Sequence, residues 1–166
     1  MYEEHFKDKA TLLRSAIKGE VDGYTFYNLL AEKSQNVDAK RRLEQLRDDE
    51  KRHKETLVEL FEKYVGGDLG PLPDRGIDAL ATVFEAGKLK GLKSEMEYIA
   101  LAIEAELAAA RFYKDGARAV DDPEFGKILM QLSDEEASHY DILMAEKEAL
   151  AGNYYWFGTD AAPMED

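Results

Sequence analysis

The chain has 166 residues, 45% of them apolar, enough for one domain with a single sizeable core. Lys plus Arg number 22 against 35 Asp plus Glu, and the net charge of -13 argues against nucleic acid as a partner. The absence of cysteine excludes disulfides, iron–sulfur clusters, thiolate zinc sites and thiol nucleophiles, and no apolar run is long enough for a membrane span.

The start, Met1-Tyr2-Glu3-Glu4-His5, is charged and has no apolar signal core, so a cytoplasmic protein is expected, with His5 exposed near a mobile terminus. Periodicity then predicts a first helix from Lys9 to Gln35, with Leu13, Ile17, Tyr24, Tyr27 and Ala31 on its inward face. A second is expected from Asp38, as N-cap, to Tyr64, stopping before Gly66-Gly67. Its inward positions, Leu43, Leu46, Glu50, His53, Leu57, Leu60 and Tyr64, alternate three and four apart, the spacing of one buried helix face. Val65 to Lys93 is rich in Gly and Pro, with a short helix expected over Ile77 to Ala86. Ser94-Glu95-Met96-Glu97 reads as a capping box that opens a third helix running to Val120. Asp121-Asp122-Pro123-Glu124 opens a fourth that ends near Gly152. The bundle domain is placed at residues 1–152 and a tail at 153–166, four consecutive aromatics (Tyr154 to Phe157) followed by an acidic stretch. Such an aromatic cluster is expected to fold over the bundle or form a subunit contact.

Asn36-Val37 and Asp121-Asp122 are tight connections, which makes two antiparallel hairpins. A helix of about 27 residues is roughly 40 Å long, and the 65–93 connection can run that distance. The expected fold is all-α, a four-helix bundle with one long crossover between two repeated hairpins.

The repeat has an offset of 86 positions. Glu20, Tyr27, Glu50 and His53 recur as Glu106, Tyr113, Glu136 and His139, and apolar positions follow, Ile17 with Ile103, Leu43 with Leu129 and Leu57 with Leu143. The lone Glu and the Glu-x-x-His of each copy fall on inward faces. Buried unpaired carboxylates are costly, and four at one level of a core need positive charge. Nothing cationic repeats on those faces, so a pair of metal ions is the simplest source. Residues i and i+3 project from neighbouring points of a helix face. Carboxylates with one imidazole per ion suit iron or manganese better than copper.

With these motifs in place, Glu20…Phe26-Tyr27, Glu50-x-x-His53, Glu106…Phe112-Tyr113 and Glu136-x-x-His139, the chain resembles the rubrerythrin branch of the ferritin-like superfamily from about Lys9 to Leu150. The resemblance implies a ferritin-like bundle with two iron ions, manganese being the alternative, reacting with hydrogen peroxide or oxygen. It implies that Glu50 and Glu136 bridge the metals, with Glu20, Glu106, His53 and His139 as terminal ligands. Tyr27 and Tyr113 would donate hydrogen bonds to carboxylates, although both read equally well as core aromatics. The expected activity is a di-iron oxidoreductase of the peroxidase or ferroxidase type, in oxidative-stress protection or iron oxidation, acting as a homodimer. Ala109, with Gly23 as its repeat partner, stands where rubrerythrin carries an additional Glu, and no cysteine-ligated rubredoxin module is present. Electrons would therefore come from a separate donor protein. The rival readings are a metal-binding or iron-storage protein without sustained turnover, an oxidase of an organic substrate, and a metal-free helical interaction protein.

Asp49 and Glu135 each precede a Glu-x-x-His. They read as solvated acids, the alternative being a hydrogen bond to the far nitrogen of a ligand histidine. Lys51-Arg52 reads as part of a mixed-charge exposed face.

Overall fold

The computed structural model describes residues 2–77 and 94–152. After a 3-10 turn at Tyr2–Phe6 come four long helices, α1 (Lys9–Lys33), α2 (Val37–Tyr64), α3 (Glu95–Ala119) and α4 (Pro123–Leu150). No strand occurs among the described residues. Each helix starts on a side-chain cap. Asp8 accepts from Thr11 N, Ser94 and Glu97 form the expected reciprocal box, and Asp122 accepts from Phe125 N with Pro123 in the first turn. At α2 the cap is Asn36 rather than Asp38: its Oδ1 accepts from the amides of both Asp38 and Ala39 at 3.0 Å. Asp38 instead lies inside the first turn, where a negative charge faces the positive end of the helix dipole. α1 stops at Lys33, two residues short of the expected Gln35, because Ser34 takes extended backbone, with ψ 127°, and so leaves the helical path. α2 ends as expected, with Gly66 at φ 78° returning its N–H to the Phe61 carbonyl.

The buried residues form two apolar layers with a polar layer between them. One layer gathers Leu13 and Ile17 of α1, Leu57 and Phe61 of α2, Phe112 and Tyr113 of α3, and Phe125 and Leu129 of α4. The other gathers Phe26 and Leu30, Leu43 and Leu46, Tyr98 and Ile99, and Leu143 and Leu150. The end of α1 thus shares a layer with the starts of α2 and α3 and with the end of α4. Helices α1 and α4 run one way and α2 and α3 the other, so the chain between α2 and α3 joins opposite ends of the bundle. This is the ferritin-like four-helix arrangement.

The first part of that connection lies along α1. Arg14 Nε donates to the Leu69 carbonyl at 2.7 Å and its guanidinium sits over Phe61. Further on, a Cβ at Gly76 would fall 2.6 Å from the backbone nitrogen of Gly19, so the two chains meet where neither has a side chain. Ile77 is buried there. Residues 78–86 of the expected short helix, and the tail at 153–166, lie outside the described residues. Tyr24, expected inward, is 39% exposed and sits at the edge of the buried face of α1. No described helix is long and apolar enough to cross a membrane.

Candidate metal centre

Between the two apolar layers each helix contributes its acidic or imidazole side chain at the point where its stripe is interrupted. Glu20, Glu50, His53, Glu106, Glu136 and His139 are all buried, none more than 5% exposed. His53 Nδ1 lies 3.0 Å from Glu136 Oε1 and 3.4 Å from Glu20 Oε2. His139 Nδ1 lies 3.1 Å from Glu136 Oε2, 3.4 Å from Glu50 Oε1 and 3.6 Å from Glu106 Oε2. The two rings stack 5.6 Å apart. The donor atoms fall into two overlapping sets, Glu20, Glu50, His53 and Glu136, and Glu50, Glu106, Glu136 and His139, each within a 4.8 Å span. Glu50 and Glu136 belong to both.

The tyrosines cross the pseudo-two-fold. Tyr27 of α1 donates to Glu106 Oε1 of α3, and Tyr113 of α3 donates to Glu20 Oε1 of α1. Each hydroxyl fixes one oxygen of a carboxylate and leaves the other facing the centre. Burial, then the charges of Glu106 and Glu50 for Tyr27 and of Glu20 and Glu136 for Tyr113, raises both phenols well above their ordinary value, so they remain donors.

The electrostatics are those of crowded acids held by protons. Burial and the charges of Glu136, Glu20 and Glu106 push Glu50 well up. Burial and the charge of Glu136 push Glu106 up to about 8. Burial and Glu20 act the same way on Glu136, yet His139, His53 and Glu106 close against its oxygens bring it below the ordinary range. Burial works against a charged imidazole at His53, but the carboxylates of Glu136 and Glu20 against its Nδ1 raise it to about 12, and His139 is raised by the carboxylates around its own Nδ1. Even so, Glu20 Oε2, Glu50 Oε1, His53 Nδ1 and Glu136 Oε1 are buried and, close as they lie to one another, make no well-aligned hydrogen bond. They come from the four residues of the first donor set. Oxygens and one nitrogen without well-aligned partners, converging in a buried layer, fit a divalent cation of the iron or manganese kind.

The family model described as Rubrerythrin matches residues 11–147. The chain belongs to the rubrerythrin family. A hypothetical protein from Pyrococcus furiosus has a similar solved structure, 28% identical, with a TM-score of 0.69 over 88% of this chain and 92% of that one. No curated protein matches. The buried carboxylate–imidazole cluster is thus a candidate metal site within a rubrerythrin-family bundle.

Three features of this rubrerythrin-family bundle lie outside the reading made from the sequence. Asp49 and Glu135 are not simply solvated acids. His53 Nε2 meets Glu135 Oε2 at 2.9 Å and His139 Nε2 meets Asp49 Oδ2 at 3.2 Å, so each histidine is held by an acid from the opposite helix. Their signal was present as an acid directly before each Glu-x-x-His, at the same offset of 86. Burial opposes ionisation of both. Hydrogen bonds from Arg52 and His139 outweigh it at Asp49, and from His53 and Arg52 at Glu135, so both stay below their ordinary values. Gly23 is the second feature, since a Cβ there would lie 2.2 Å from Glu50 Oε2. The third is His5, expected to be exposed, which is half-buried with Nδ1 2.9 Å from Ser15 Oγ and its ring edge on Phe112.

Proposed function

We propose that the centre is a non-haem di-iron site that reacts with hydrogen peroxide or oxygen, for oxidant removal or iron oxidation. The observation that carries this reading is the pair of donor sets sharing Glu50 and Glu136. Glu50 and Glu136, common to both sets, would be shared between the two ions, Glu20 and His53 would complete one position, and Glu106 and His139 the other. Two such ions supply two electrons to the oxidant when bound. Tyr27 and Tyr113 hold Glu106 and Glu20 in place, while Glu135 and Asp49 keep the proton on the outer nitrogen of each ring and leave Nδ1 to the centre.

The narrower of two spaces beside the acids fits a small oxidant. A cavity of about 20 Å³ lies against Glu20, Glu50 and Glu106, walled by Gly19, Ala105, Ala109 and Ile77. That volume admits a molecule the size of water and little more. A wider cleft of about 210 Å³ reaches Glu20 and Glu50 from solvent past Val21, Tyr24, Lys51 and Lys54. With no cysteine in these 166 residues, electrons for repeated turnover come from a separate donor protein, and the working unit in this reading is a homodimer.

The deciding experiment is metal content per chain after anaerobic purification, followed by the absorption spectrum on adding peroxide. About two irons per chain, with near-ultraviolet absorption growing on oxidation, is the expected result. A chain that carries no metal, and takes up neither iron nor manganese on anaerobic reconstitution, would overturn the reading.

A further inference from the structure

Arg52 stands at the outer rim of the stacked histidines with its side chain 52% exposed. Its Nη2 donates to Asp49 Oδ1 at 2.7 Å and its Nη1 to Glu135 Oε2 at 2.9 Å. Asp49 offers its other oxygen to His139, and Glu135 accepts from His53. One guanidinium therefore links α2 to α4 and closes a continuous path, His139–Asp49–Arg52–Glu135–His53. The repeat supplies no counterpart. The position 86 residues later is Ser138, whose hydroxyl donates to the Asp134 carbonyl of its own helix.

We propose that Arg52 is a positioning residue for both metal positions at once, its planar fork setting the orientation of the two imidazoles through the two acids. The inference rests on the metal-centre reading above. An acid bonded to a histidine fixes that ring only as well as the acid itself is fixed. Asp49 and Glu135 lie near the surface, where water competes for their oxygens, and they come from different helices. A guanidinium offers parallel N–H donors in a rigid plane and so holds two carboxylates in a defined relation, which a lysine ammonium on its flexible stem does not. Without the fork the two acids repel one another and both rings lose their anchored partner together.

The test uses the full chain, freed of metal by chelation and titrated anaerobically with Co²⁺ alone, reading the number of ions, their affinity and the visible d–d absorption. The unsubstituted chain, Arg52→Gln, Arg52→Lys and Asp49→Asn are compared, with a thermal melt of each metal-free variant. Arg52→Gln should weaken uptake at both positions by about tenfold or more and shift the absorption of both, with the melt of the metal-free chain little changed. Arg52→Lys should restore the charge yet recover only part of the affinity. Asp49→Asn should weaken one position, that of His139. An Arg52→Gln isotherm coinciding with the unsubstituted one, loss at a single position, or full recovery by Arg52→Lys would each overturn the proposal. If Arg52→Gln does not fold, Arg52→Lys decides by itself, weakened binding supporting the fork and unchanged binding overturning it. Absence of cobalt uptake by the unsubstituted chain would instead bring down the metal-centre reading, before any variant is considered.

Discussion

At Gly23 of α1 a Cβ would collide with the carboxylate of Glu50, at 2.2 Å from Oε2. Within a helix Gly costs about 1 kcal/mol relative to Ala, so the residue is retained at the expense of helix stability. The obstructed atom is the far end of a flexible side chain, so Glu50 can rotate away and the fold should survive. Gly23→Ala should therefore leave the melting temperature of the metal-free chain equal or slightly raised while removing Glu50 from the centre. Metal analysis beside a thermal melt checks this, and two tightly held ions in the variant would refute it. The repeat partner is Ala109, where the Cβ is accommodated. The two halves of the centre thus differ in side-chain clearance although their candidate ligands correspond.

Helix ends illustrate how local chemistry and packing divide the work. The capping box at Ser94 and the Asp122-Pro123 start were legible because the cap and its partner lie within four residues of each other. At α2 two acceptors compete within three positions, and the winner is Asn36, which reaches the two free amides while Asp38 points into the first turn. Asn36→Ala should cost the fold about 1 kcal/mol, a typical cap loss, and Asp38→Ala only a fraction of that. Chemical denaturation of the two variants distinguishes the assignments, and a larger loss at Asp38 would restore the expectation from sequence.

Across the whole molecule the polar layer gives the metal-free and metal-loaded chains opposite responses to pH. In the metal-free fold His53 keeps its proton up to about 12, against an ordinary 6.5. Glu106 keeps its own up to about 8, against 4.5. Over the window from about 6.5 to about 8 the folded chain therefore binds more protons than the unfolded one, and stability falls as pH rises. Asp49 and Glu135 are shifted downward, so their contribution is present throughout this window and is lost only in acid. A divalent ion competes with these protons, so its stabilisation grows over the same window. Calorimetry of chelated and reconstituted protein should show the gap between their melting temperatures widening with pH. A metal-free melting temperature that rises across the window would contradict the placement of these protons.

The sequence by itself determined the four helices, their pairing into hairpins and the six residues of the polar layer. That information is local or periodic: stripes three and four apart, caps a few residues long, and a constellation repeated at an offset of 86 that chance does not produce. Tertiary structure decided what lies between helices. Asp49 pairs with His139 and Glu135 with His53 across 90 and 82 positions, a crossing set by the relative rotation of α2 and α4. The same rotation turns Arg52 from one charge among many into a link between two acids, and the packing of α1 on α2 brings Gly23 against Glu50. Periodicity places a residue on a face of its own helix. Which atom of the neighbouring helix it meets depends on rotation and register, and those follow from the packing of the two apolar layers around the polar one.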